Sequence, residues 1–230
     1  KVTIADGAKM YVTNQRMTMQ SLEAKDNSVL TLDQASLKLV YSENTILNSG
    51  LKELELTRSK LYLRDYSSKI SDKNSDKLTK VVINASNTGE ASEIINGENI
   101  NDNGGGGGAT FVNPILLKKT TTNVATLIFK SGCFFGSGTG LTINSKVSGE
   151  GVIKLERNNG AKFEIQDNFK DFNGKVMSNN QPDVNYDFNI SSDNYEDRVI
   201  GYNLMGVGSY TNKSNKDLTF TNLSGFTGKL

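Results

Sequence analysis

Histidine and tryptophan are absent from these 230 residues, cysteine occurs once and proline twice. Without histidine there is no Ser-His-Asp or Cys-His catalysis, and most zinc sites lose their usual ligand. The single cysteine, Cys133, leaves no internal disulfide framework. In "SGCFFG" it stands beside Phe134 and Phe135 and reads as a small buried hydrophobe, because a reactive thiol needs an activating base. No run of about 18 apolar residues is present, so no helix of this chain is expected to span a bilayer. The opening "KVTIADGAKM" has no signal-peptide core, which leaves a cytosolic chain or a mature form already trimmed as the expectation. Charge of one sign is lacking too. Twenty-six basic against 25 acidic residues give +1, without the basic excess expected of a duplex nucleic-acid binder or a polybasic membrane anchor.

With so little proline, turns fall to asparagine and to 22 glycines. Apolar residues make up 36% and mean hydropathy is −0.43, low for a compact enzyme but above the disordered range.

What is there is repetition. "MYVTNQRMTM" (10–19), "LTLDQASLKL" (30–39) and "LELTRSKLYL" (54–63) share one template. Each reads apolar–x–apolar, four polar or small residues, then apolar–x–apolar. A spacing of two is the strand period, with alternate side chains on one face. A helix would place such pairs on opposite sides. The linkers TNQR, DQAS and TRSK suit a corner between two short strands. Such a unit cannot bury its apolar face alone, but stacking on the next unit does so. The pattern predicts an all-β parallel β-helix (β-solenoid) with protruding loops. Leu32, Leu37, Leu56 and Leu61 should face inward, and Glu53 and Glu55 outward.

Further on, "ATLIF" (125–129), "GLTI" (140–143), "GVIKL" (151–155), "AKFEI" (161–165) and "DLTFTNL" (217–223) read as short strands between Gly, Asn, Ser and Asp clusters. "DGAKMYV" (6–12) returns as "NGAKFEI" (159–165), and "FNGKV" (172–176) as "FTGKL" (226–230). Each phrase is read as one face of one turn of a shared cross-section. Residues 86–110, with five glycines at 104–108, break the pattern and are expected to be a flexible loop insertion. The chain thus divides into N-terminal β-helix turns (1–85), the insertion (86–110) and continuing turns (111–230). "DYSSKISDKNSDK" (65–77) is a smaller excursion.

Motifs for chemistry do not complete themselves. "GGGGGATFVNP" lacks the Lys and Ser/Thr of a phosphate loop, and "GSGTG" (136–140) opens a strand rather than a helix. Asp72, Asn74 and Asp76 match the first ligand positions of a calcium loop, but Lys77 and Ile83 stand where Gly and Glu are required. Paired carboxylates could serve glycoside hydrolysis, yet no compact acidic cluster lies in a strand context. The Asn-x-Ser sequons at Asn84, Asn189, Asn212 and Asn222 are those of an Asn-rich chain. No catalytic, cofactor-binding or metal-ligating residue is assigned.

"VTIADGAKMYV", "GSGTGLTINSKVSGEGVIKLERNNGAKFEIQDNFKDFNGKV" and "LTFTNLSGFTGKL" resemble the passenger domains of Gram-negative autotransporters. In that family G-x-G-x-L-x-L runs followed by N-x-[YF]-x-G mark turns of a right-handed parallel β-helix. Gly149, Gly151, Val152 and Ile153 through Leu155 match the first part, and Phe172, Asn173 and Gly174 approximate the second. The resemblance covers 130–176 and 217–230 well and 1–63 loosely, and phage tail spikes and fibres share the same grammar. It implies an extracellular, cell-surface protein, adhesive or self-associating, that acts by binding and is not an enzyme. Its partners would be a host or bacterial surface protein, a glycan, or copies of itself, with no nucleic acid and no cofactor. The alternative is a tail-spike-like polysaccharide-processing protein using carboxylates on its flank. Strand-like phrases at both ends suggest part of a longer chain or a stacked oligomer.

Overall fold

The computed structural model describes residues 2–19, 22–39, 50–63, 78–96, 109–132, 141–158, 163–165, 169–178, 187–190, 199–213 and 217–230. The glycine run at 104–108, the 65–77 excursion with Asp72, Asn74 and Asp76, residues 136–140 of "GSGTG" and Cys133 with its two phenylalanines lie outside these (Gly140 included).

Strands are laid down in successive passes. The first holds β1 (Val2–Ile4), β2 (Lys9–Thr13) and β3 (Arg16–Met19); the next holds β4 (Leu22–Ala24), β5 (Ser28–Asp33) and β6 (Ser36–Leu39). β7 (Leu51–Thr57) and β8 (Lys60–Leu63) follow, then β9 (Lys80–Asn84) and β10 (Ser92–Asn96). β11 (Ala109–Phe111), β12 (Ile115–Lys118) and β13 (Ala125–Gly132) form the fifth pass, β14 (Leu141–Ile143) and β15 (Val147–Asn158) the sixth. The remaining passes are β16 (Phe163–Ile165) with β17 (Asp171–Ser178), β18 (Asp187–Ile190) with β19 (Val199–Ile200) and β20 (Asn203–Met205), and β21 (Ser209–Asn212) with β22 (Thr219–Phe220).

The described residues hold no helix, and every ladder between these strands is parallel. A 13-stranded sheet, in the path β2-β5-β7-β9-β12-β15-β13-β10-β8-β6-β3 with β17 and β20 attached, curls into a half-barrel. A five-stranded sheet, β11-β14-β16-β18-β21, and the pairs β1-β4 and β19-β22 complete it. The large sheet is two columns joined by one strand. Val147–Gly149 of β15 pairs with β12, and Gly151–Asn158 of the same strand pairs with β13.

Register shows why the template folds this way. Val12, Leu32, Leu56, Ile83 and Leu117 stand opposite one another on consecutive passes, as do Met17, Leu37, Leu61, Ile94 and Phe129. Leu32, Leu37, Leu56 and Leu61 are fully buried, as the alternation predicts. Glu53 and Glu55 alternate with them and face outward, where Glu55 accepts from Thr31 Oγ1 (3.2 Å) and Glu53 pairs with Lys80 (3.5 Å). The polar linkers are indeed corners: Asn14, Gln34 and Arg58 carry φ of 54°, 50° and 49°, a left-handed conformation that bends the strand sharply.

Two expectations shift. Ser92–Asn96, inside the stretch read as an insertion, is β10 and pairs with β8 and β13 on either side. Its inward residues include Ser92 and Asn96 beside Ile94, so alternation of apolar and polar residues did not mark it. The repeated phrases also part company. "DGAKMYV" leads into β2 of the large sheet, whereas "NGAKFEI" leads into β16 of the five-stranded sheet.

Candidate binding grooves on the outer corner

Each corner between the two columns of the large sheet turns its backbone bonds toward the next pass. Asn14 N donates to Asp33 O (3.1 Å) and Gln34 N to Thr57 O (3.0 Å). One residue on, the chain dips inward to Ala35 and Ser59, both buried. Ser59 Oγ accepts from Ala35 N (3.1 Å) and donates to Thr57 O (2.7 Å), while Ser59 N donates to Ser92 Oγ (3.3 Å). A small hydroxyl is needed here, since an unpaired buried amide costs about 1–3 kcal/mol.

Because the interior side of the corner is small, the long polar side chains lie outside. They line a groove of about 240 Å³ formed by Asn14, Gln15, Arg16, Gln34, Ala35, Ser36, Arg58, Lys60 and Tyr62. Arg58 donates from Nε (3.2 Å) and Nη2 (2.8 Å) to one oxygen, Asp33 Oδ1. Arg16, Ser36, Lys60 and Glu93 are register neighbours on β3, β6, β8 and β10. Lys60 reaches Glu93 (3.5 Å), Glu93 also meets Lys130 (2.8 Å), and Lys130 meets Glu156 (3.7 Å). Arg16 is exposed and has no carboxylate partner among the described residues. The groove thus ends in a charge ladder that runs along the same column.

At the far end of that ladder a second concavity, about 310 Å³, is lined by Lys154, Glu156, Met177, Ser178, Met205, Gly206 and Gly225. Lys154, Met177 and Met205 share one register row, so its floor is thioether rather than amide. Below it Ser178 Oγ donates to Val207 O. Tyr202 and Tyr210 are buried in this region, and burial pushes both phenols above the usual tyrosine range. Tyr202 Oη has no hydrogen-bond partner among the described residues.

Sequence reasoning assigned no site residue, and neither groove is legible as a motif, because the first is assembled from residues of three passes and the second from residues of four. Among the described residues no group of three or more His, Cys, Asp or Glu is placed to hold a metal ion, and no helix is long and apolar enough to cross a membrane. No protein-family model, curated protein or solved structure matches the chain.

Proposed function

We propose that this chain is a parallel β-helix that acts by binding, as an extracellular or cell-surface adhesive protein. The observation that carries the reading is the corner groove, where three consecutive passes present amides and cations side by side. Strand spacing of about 4.8 Å sets that array, and the buried serine hydroxyls and cross-pass backbone bonds hold it rigid, so little ordering cost accompanies contact. The resemblance to autotransporter passengers points the same way.

The test is adhesion against chemistry. Purified chain should bind glycan-bearing or protein-bearing cell surfaces saturably, and incubation with several polysaccharides should release no reducing ends above background. Sustained release of reducing ends would replace this reading with that of a polysaccharide-processing protein.

A further inference from the structure

We infer that the corner groove of the first three passes is a subsite for an acidic glycan, a sugar chain bearing carboxylate or sulfate groups; the inference rests on the binding role proposed above. Three cations meet there without being consumed. Asp33 holds Arg58 through Nε and Nη2 alone, which fixes the guanidinium plane and leaves its remaining N–H groups for an oxyanion. Lys60 spends one contact on Glu93 and keeps further donors. Arg16 is exposed and, among the described residues, paired with no carboxylate.

Between the cations stand the exposed amides of Asn14, Gln15 and Gln34. An amide both donates and accepts, which matches sugar hydroxyls that do the same. Arg16 and Lys60 are separated by the single strand that carries Ser36. A strand step of about 4.8 Å is close to the advance per sugar of an extended chain, so successive units would meet successive passes. A neutral sugar fits less well, because the one aromatic ring present, Tyr62, is only 7% exposed and offers no stacking platform.

The full chain should be titrated calorimetrically at low salt with a galacturonate hexamer, a sulfated hexasaccharide and a neutral hexamer. Arg16→Glu and Lys60→Gln should be compared with the unaltered protein after circular dichroism confirms their fold. We expect at least one acidic hexamer to bind tenfold or more tightly than the neutral one, and Arg16→Glu to weaken it at least tenfold. Equal binding of the neutral hexamer, no binding of either acidic one, or an unchanged affinity in Arg16→Glu overturns the inference. Cell binding measured in parallel separates the two readings. If the unaltered chain and Arg16→Glu bind cells alike, adhesion stands without this groove; if the unaltered chain binds none, the adhesive reading itself falls.

Discussion

The first four passes and the later ones enclose the same kind of interior with different materials. Leu30, Leu32, Leu37, Leu54, Leu56 and Leu61 fill the first region. The second adds Phe111, Phe129, Phe163, Phe169, Phe172 and Tyr202 to aliphatic residues such as Leu127, Ile153 and Leu155, with ring pairs such as Phe111–Phe129 at 6.2 Å and Phe169–Tyr202 at 5.7 Å. The corners differ as well. The corners of the first three passes use the non-glycine residues Asn14, Gln34 and Arg58 at positive φ, and the backbone amides of Asn14 and Gln34 bond across to the next pass. In β15 and β17, which run through the bend, glycine takes over: Gly149 has φ of 90°, and a Cβ on it would overlap the carbonyl oxygen of Leu117. At Gly174 a Cβ would sit 2.5 Å from Cζ of Phe172 and overlap the carbonyl oxygen of Gly151. At Gly174 the Phe172 ring takes the space that a side chain would need, whereas at Gly149 the backbone of the preceding pass takes it.

The largest expected effect tests the cores. Phe129→Ala should cost about 3–5 kcal/mol and Leu56→Ala about 2–5 kcal/mol in chemical denaturation, while outward Glu55→Ala stays within about 0.5 kcal/mol. Equal costs at Leu56 and Glu55 would break the inward–outward assignment in the first region. Next come the corners. Gly149→Ala should cost about 3 kcal/mol, adding left-handed strain to overlap with Leu117. Gln34→Gly, at the equivalent kind of bend, should be neutral within about 1 kcal/mol, because glycine adopts that φ freely. Were the two to behave alike, the corners would not differ as described.

Ser59→Ala should cost about 1–3 kcal/mol by stranding the amide of Ala35, whereas Ser59→Cys should restore only part of it. The smallest effect is pH-dependent. Tyr202 is neutral and its folded pKa lies above the free value of about 10, so the unfolded chain releases that proton first. The stability it contributes is complete below about pH 10 and declines above it. Tyr202→Phe should leave neutral-pH stability within about 1 kcal/mol and make the alkaline decline shallower. An alkaline limb of unchanged slope would place Tyr202 in contact with water.

Much of the first region was legible because period and corner coincide there: TNQR, DQAS and TRSK each place one left-handed residue between two inward pairs. The second region was legible as strands but not as positions. Gly-Ala-Lys entering a strand suits any corner, so "DGAKMYV" and "NGAKFEI" alone do not say which sheet receives them. β10 was missed because buried Ser92 and Asn96 look solvated in sequence, although Ser92 caps the Ser59 amide. The groove was invisible for a different reason. Arg16, Gln34 and Arg58 become neighbours only once register is known.

The double pairing of β15 has a consequence for how the molecule comes apart. Where each pass meets its neighbour through separate short ladders, fraying releases a few hydrogen bonds at a time, and stability is a near-neighbour sum. β15 cannot be peeled that way, because its two halves are held by β12 and β13 at once while β17 lies along Ser148–Leu155. Unzipping that enters from the later passes therefore halts at this strand until two columns release together. It divides the chain into cooperative units, with the charged corner groove on the sheltered side.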